Sequence, residues 1–168
     1  MNPITMAADK ILNGITALLE YMLGIMMIAL VGLTFMQVIL RYVFNNPTSW
    51  SSELSRFILI WLTFTGASVI TKYGTHLSMG LNINRFVSGI WSKIIKVVIN
   101  ILIMTTLMII AYYSWKVTMI SGSRIAPMTK IPMYYPWLAL PVNAVLMTVY
   151  FLADTIKQAT KHEERISQ

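Results

Sequence analysis

Cysteine is absent from this sequence, and histidine occurs only twice among its 168 residues. The absence of cysteine excludes disulfides, thiolate metal sites, iron–sulfur clusters and cysteine nucleophiles. Two histidines supply too few imidazole ligands for a histidine-based metal centre. We therefore expect neither a metal nor a cofactor in this chain.

Charged residues are also few in this sequence. Charged residues make up 11% of the chain, against about 25% in an ordinary soluble domain, while 57% of the residues are hydrophobic and the mean hydropathy is +0.67. A soluble globule of this size could not cover its surface with so few charged side chains. The net charge of +7 comes from basic residues that lie between long apolar runs, so it indicates membrane orientation and not a nucleic-acid-binding stripe. The composition predicts an all-α integral membrane protein.

Four stretches are long and apolar enough to cross a bilayer, which needs about 20 residues of helix. Two further segments, 9–20 and 77–91, are amphipathic and are expected to lie at the membrane surface, although the first could instead prolong the first span. We treat residues 1–168 as a single membrane domain. The four predicted spans are 21–40, 49–72, 97–115 and 131–153.

The last span contains Pro132, Pro136 and Pro141. Proline cannot donate a backbone hydrogen bond, so we expect the first half of this span to be kinked or irregular. Such backbone is tolerated at membrane depth only where protein covers it. This half should therefore face the bundle interior or a partner.

Orientation follows from the lysines and arginines of alternate connections, because an excess marks the cytoplasmic side. With the N-terminus inside, eight of these residues fall on the cytoplasmic side and five on the opposite side. We expect both termini to be cytoplasmic. Asp9, Lys10 and Glu20 precede the first apolar run, a pattern unlike a cleaved signal peptide, so the first span should be retained.

Glu20 lies at the entry to the first span, where an ionisable side chain is a candidate functional group. It could carry protons or substrate in a self-contained, homo-oligomeric, proton-coupled exporter of small molecules. A position at the membrane interface explains the same residue without any such role. We keep the exporter as the alternative function.

Arg41, Glu53 and Arg56 lie where the first span ends and the second begins, so a tight connection brings them to one membrane depth. Glu53 could pair with both arginines, and Glu53 and Arg56 are neighbours on a helix face because they are three residues apart. We interpret the group as a structural clamp and not as a catalytic site.

Tryptophan mostly falls near the predicted span ends, where its ring favours the headgroup region, but Trp61 lies inside the second span. It shares one helical face with Trp50, Leu54 and Phe57. This face is either a packing surface for another helix or a core or lipid contact.

The segment before the last span is rich in proline and aromatic residues and carries Arg124, Lys130 and Tyr134. An exposed connection of this kind could receive a soluble partner. A rigid connection with snorkelling cations is the other interpretation.

No GxxxxGK, HExxH, GxSxG or GxGxxG pattern occurs, and no span carries the paired carboxylates or polar runs that an autonomous transporter usually needs. The sequence therefore offers no recognisable catalytic motif, and we do not expect an enzyme. It is better suited to assist another membrane protein.

A spaced run of residues begins with Arg41-Tyr42-Val43-Phe44 and continues through Trp50, Glu53, Arg56, Trp61, Gly66 and His76. Its first part reads R-Y-x-F-x5-W-x-x-E-x-x-R-x4-W. The pattern resembles the small membrane subunit of tripartite ATP-independent periplasmic (TRAP) transporters. Family members often place an acidic residue shortly after the histidine, whereas Leu77, Ser78, Met79 and Gly80 follow here.

The resemblance implies a complex with a large multi-span transport subunit and a soluble periplasmic binding protein in the bacterial inner membrane. Such a complex imports organic acids, of the sialic acid or C4-dicarboxylate class, with a sodium gradient. Its chemistry belongs to the large subunit. The small subunit is implied to be a non-catalytic scaffold that helps the binding protein dock.

By the same resemblance, six residues are expected to be structural or interface positions, and none is expected to bind substrate. They are Arg41, Trp50, Glu53, Arg56, Trp61 and His76. For docking of the binding protein, the candidates are Arg124, Lys130 and Tyr134.

Overall fold

The computed structural model describes residues 3–46, 48–78 and 90–166, with side chains described for residues 10–46, 48–73, 98–153 and 155. Most of the predicted amphipathic segment 77–91 and the side chain of His76 lie outside this part of the chain. The described backbone is all-α apart from one isolated bridge between Ile125 and Pro132, which confirms the predicted fold class. Its helices are α1 (Pro3–Tyr42), α2 (Ser49–Ser78), α3 (Ile90–Ser121) and α4 (Tyr134–Ile166).

Each helix contains a stretch long and apolar enough to cross a membrane: Lys10–Tyr42, Ser49–Tyr73, Val98–Ser121 and Tyr134–Ala153. The predicted number of spans is therefore confirmed. Segment 9–20 continues into the first span without a break, so it prolongs that helix. Helix α4 begins three residues after the predicted start of the fourth span, because residues 131–133 belong to the preceding turn.

The helices form a row in the order α1, α2, α4, α3, because α1 packs on α2, α2 on α4, and α4 on α3. The two central helices are the most buried: within an apolar window of 18 residues in each helix, 39% of the residues are buried in α4, 17% in α2, 6% in α3 and none in α1. The chain exposes 12147 Å², whereas a compact soluble monomer of this mass exposes about 8,400 Å². Both flanking helices are therefore open to lipid or to another protein.

A short connection joins α1 to α2. Asn45 adopts a left-handed backbone conformation with φ 49°, which asparagine tolerates better than most residues. The amide of Asn46 donates to the carbonyl of Leu40 at 3.0 Å. At the start of α2, the hydroxyls of Thr48 and Ser51 are 2.8 Å apart. The chain thus reverses within a few residues and sets α2 beside α1.

Protein covers the proline-containing half of α4, as expected. Pro136, Ala139 and Pro141 are buried, and the helix runs through Pro141 without interruption. Because proline has no amide hydrogen, Pro141 leaves the carbonyl of Trp137 without its usual helical donor. The hydroxyl of Thr118, on α3, lies 3.1 Å from that oxygen and 2.8 Å from the carbonyl oxygen of Ser114 in its own helix, so it shares its single proton between the two acceptors. A neighbouring helix therefore satisfies the group that proline frees.

Candidate functional site

The α3–α4 turn, residues 122–133, is ordered by its own backbone hydrogen bonds. The amide of Met133 donates to the carbonyl of Arg124 at 2.8 Å, and the amide of Ala126 donates to that of Ile131 at 3.0 Å. The backbone amide of Lys130 closes the tip by donating to the carbonyl of Ala126 at 3.0 Å. Lys130 has a φ angle of 53°. Ala126 is fully buried beneath this tip. The turn therefore has a defined shape.

Gly122 leaves little room for a side chain where α3 passes into this turn. A Cβ atom at Gly122 would lie 3.0 Å from the carbonyl oxygen of Thr118 and 3.0 Å from the ring of Tyr134. The oxygen belongs to the helix backbone and cannot move aside easily. Tyr134, predicted as a docking residue, thus packs against the start of the turn and is only partly exposed.

Glu53, in the second turn of α2, holds the tip of the α3–α4 turn. Its Oε2 atom accepts hydrogen bonds from the amide of Thr129 at 2.8 Å, the amide of Met128 at 3.2 Å and the hydroxyl of Thr129 at 3.0 Å. Hydrogen bonds to an ionised acceptor are roughly twice as strong as neutral ones. This carboxylate is a clamp between α2 and a turn 75 residues later in the chain.

The carboxylate of Glu53 bonds to the turn and not to the two arginines with which it was predicted to pair. Within the described part of the chain, neither Arg41 nor Arg56 forms an ion pair with this carboxylate, although Arg56 attracts it electrostatically. Arg41 instead lines a cavity of about 120 Å³ with Gln37, Thr48, Ser49 and Ser52.

Two cations of the turn point away from the bundle. Arg124 and Lys130 are exposed, and beside them Ile125 is 65% exposed and Met128 is 57% exposed. Of the three predicted docking residues, these two are therefore displayed at the surface. The combination of cations and apolar side chains on a fixed turn is suited to contact with another macromolecule.

Trp61 belongs to the packing of the bundle. Its indole Nε1 donates to the carbonyl of Tyr135 at 3.1 Å and so joins α2 to the first turn of α4. Trp50, eleven residues earlier, is 44% exposed. The predicted aromatic face of α2 thus serves partly as an internal contact.

Glu20 lies at the opposite end of the bundle from the turn. The hydroxyl of Tyr73 donates to its Oε1 atom at 2.6 Å. One helical turn before Glu20, the hydroxyl of Thr16 lies 3.0 Å from the hydroxyl of Tyr150 on α4. Thr16 and Tyr150 are buried, whereas Glu20 is exposed. These contacts join α1 to α2 and to α4. In the described residues, no group of three or more potential metal ligands occurs around Glu20 or elsewhere.

Sequence reasoning did not identify a buried polar pair at the centre of the row. Ser68 on α2 donates to the Oδ1 atom of Asn143 on α4 at 2.9 Å, and the Asn143 amide donates to the carbonyl of Ala139 at 2.8 Å. Ser68 and Asn143 are 0% and 2% exposed. Small and polar residues commonly join helices in membranes, where apolar side chains gain little by leaving lipid. A lone asparagine inside an apolar span was the available signal.

Comparison with known proteins shows which family this sequence matches. Residues 30–161 match the family described as Tripartite ATP-independent periplasmic transporters, DctQ component. The chain belongs to this family. The matched range includes all of α2 and α3, the α3–α4 turn and most of α4. The DctQ component is a transporter permease subunit, which is not an enzyme, and four apolar helices make it a multi-pass membrane protein.

Three relatives illustrate the range of the DctQ family. A Haemophilus influenzae protein named "Putative TRAP transporter small permease protein" is 24% identical over 156 residues, which cover 93% of this chain and 94% of the relative. The sialic acid TRAP transporter permease protein SiaT of Haemophilus influenzae is 26% identical over 147 residues, 87% of this chain but 24% of SiaT. The ectoine TRAP transporter small permease protein TeaB of Halomonas elongata is 21% identical over 136 residues, 80% of this chain and 70% of TeaB.

Proposed function

We propose that this chain is the small membrane subunit of a sodium-coupled importer of organic acids that depends on a periplasmic binding protein. It acts as a scaffold for a large transport subunit and helps the loaded binding protein dock. The observation that carries this proposal is the match to the DctQ family over residues 30–161.

The relationship to SiaT supports a large membrane partner. In that permease the stretch similar to this chain makes up 24% of a longer protein, so an equivalent small part and a larger remainder share one chain there. For this chain we propose that a large transport subunit packs against it.

The flanking helices offer surface for that contact. Among the described side chains of α1 only Thr16 is buried, and the exposed side chains are large. Ile25 is 60% exposed, Ile28 is 76% exposed and Phe35 is 67% exposed. Helix α3 is almost as open. Helices in lipid associate through close packing over such faces, so either flank suits a helical partner.

The distribution of cations supports the proposed sidedness. Eight lysines and arginines fall on the side of the termini and five on the side of the α3–α4 turn, which favours cytoplasmic termini. In a bacterial inner membrane the turn then faces the periplasm. Arg124 and Lys130 would meet a soluble binding protein there.

The solute class is drawn from the relatives. SiaT is named for sialic acid and TeaB for ectoine, so small subunits of similar sequence serve different solutes. We propose organic acids, with sialic acid first and C4-dicarboxylates second. Recognition of the solute would lie in the binding protein and the large subunit.

Reconstitution into liposomes tests the proposed function. The complete complex should take up one of the labelled organic acids only when its binding protein and an inward sodium gradient are both present. This chain alone should transport nothing. Proton-driven transport by this chain alone, abolished by Glu20→Gln, would replace the proposal with the homo-oligomeric exporter.

A further inference from the structure

We propose that Glu53 is a positioning residue for docking: it holds the α3–α4 turn in the shape that an acidic surface of the binding protein recognises. This inference rests on the proposed function, because it specifies how the small subunit takes part in docking. Glu53 itself contacts only the inner side of the turn. Its effect would reach the partner through Met128, Thr129 and Lys130.

The backbone of the turn connects Glu53 to the exposed surface. Two successive amides, those of Met128 and Thr129, turn inward to the Glu53 carboxylate. The side chain of Met128 is then directed outward and is 57% exposed. One backbone conformation therefore places the two amides against Glu53 and the side chain of Met128 at the surface.

Lys130 shows that this conformation needs support. Its φ of 53° lies in the left-handed region, which residues other than glycine rarely adopt and which persists only where surrounding structure enforces it. The enforcing contacts are the bond from Lys130 to the carbonyl of Ala126 and the clamp on the two residues before it. Loss of the carboxylate would let Lys130 relax and move its ammonium group.

Charge at this end of the bundle indicates the chemistry of the partner. Glu53 is the only acidic residue between positions 21 and 153, and its carboxylate is directed into the turn. The five cations between positions 41 and 130 whose side chains are exposed at this end of the helices carry no acidic neighbour in sequence besides Glu53, so this end is positive and complementary to an acidic partner. They are Arg41, Arg56, Lys116, Arg124 and Lys130.

Anionic lipid headgroups would also be attracted to these cations. Attraction of lysine and arginine to a charged membrane surface requires no fixed backbone, because it depends on charge within a Debye length. The turn nonetheless has a fixed backbone, because one carboxylate accepts hydrogen bonds from two of its amides and from the hydroxyl of Thr129, beside a residue in the left-handed region. A fixed shape favours a protein surface as the occupant.

The test measures transport by the complete complex in liposomes as the concentration of its loaded binding protein is varied. Glu53→Gln keeps the size of the side chain and removes the charge. We expect KM for the binding protein to rise about tenfold, with kcat changed by less than about twofold, because hydrogen bonds to the ionised group are lost. Thr63→Val is the control on the same helix, since the Thr63 hydroxyl bonds to the carbonyl of Leu59 within α2, and it should change neither. Thr129→Val removes one of the three bonds and should raise KM by roughly threefold.

Charge reversal separates this inference from the proposed function. Lys130→Glu and Arg124→Glu should raise KM more than Glu53→Gln does. If they raise KM while Glu53→Gln and Thr129→Val do not, the positioning role is wrong and docking at the turn stands. If no variant alters KM in an active complex, docking by this subunit is itself wrong. If the reversals only weaken binding of the complex to vesicles containing phosphatidylglycerol, the turn meets lipid and the inference is overturned.

Discussion

Thr118 and Pro141 should be energetically coupled, because the threonine hydroxyl replaces the donor that proline lacks. Thr118 is fully buried, and its hydroxyl shares its proton between the carbonyl of Ser114 in its own helix at 2.8 Å and the carbonyl of Trp137, the residue four before Pro141, at 3.1 Å. Thr118→Val keeps the shape of the side chain and removes its hydroxyl. The carbonyl of Trp137 would then have no donor in a buried, apolar setting.

Two known energy ranges set the expected change in the free energy of unfolding. An unsatisfied buried polar group costs about 1–3 kcal/mol, while hydrogen bonds between membrane helices average about 0.6 and reach about 1.7 kcal/mol. We expect Thr118→Val to lower the free energy of unfolding by about 1.5 kcal/mol. With Pro141→Ala, the amide of residue 141 can donate to Trp137 within α4. In that background Thr118→Val should cost about 0.5 kcal/mol or less.

Reversible unfolding by sodium dodecyl sulfate in mixed micelles, followed by circular dichroism, measures this cycle. Thr106→Val on the same helix is the control, since the Thr106 hydroxyl bonds only to the Leu102 carbonyl of its own helix at 2.8 Å. It should change stability by less than about 0.5 kcal/mol. Equal costs for Thr118→Val with Pro141 and with Ala at that position would refute the reasoning.

Two further predictions concern packing and polar contacts. Gly122→Ala places a methyl group 3.0 Å from a backbone oxygen and from the ring of Tyr134, so it should destabilise the protein by about 1–3 kcal/mol in the same unfolding assay; an unchanged midpoint would contradict this close approach. Asn143→Leu removes the Oδ1 acceptor of the Ser68 hydroxyl but leaves it the backbone carbonyls of Phe64 at 3.1 Å and of residue 143 at 3.3 Å, so we expect a loss of about 1 kcal/mol, and Ser68→Ala should cost less in that background than in the unmodified protein. Additive losses in the double variant would show that the two side chains are not coupled.

The helices could be predicted from the sequence because hydropathy reports directly which segments lipid can surround. The start of α2 at Ser49 was also predictable, since Pro47 cannot continue a helix and serine favours the first position. The start of α4 was not. Residues 131–133 are as apolar as a span, yet their backbone pairs with residues 124–126, and hydropathy carries no information about that pairing.

The clamp at Glu53 was predictable in part. The spacing of Glu53 and Arg56 shows that charges meet near the membrane surface, but the hydrogen bonds go to the amides of Met128 and Thr129. Backbone amides have no sequence signal, and they lie 75 residues away. Ser68 and Asn143 were visible as polar residues in apolar spans, but only the row of helices shows that they face each other.

Identification of the proteins that copurify with this chain tests the central claim most directly. The tagged protein would be extracted gently from its native membrane, and its stoichiometric partners would be identified by mass spectrometry. A transporter subunit should bring with it a large multi-span membrane protein in equal amount, packed on the open face of α1 or of α3. Recovery of the 168-residue chain as a homo-oligomer alone would contradict the account.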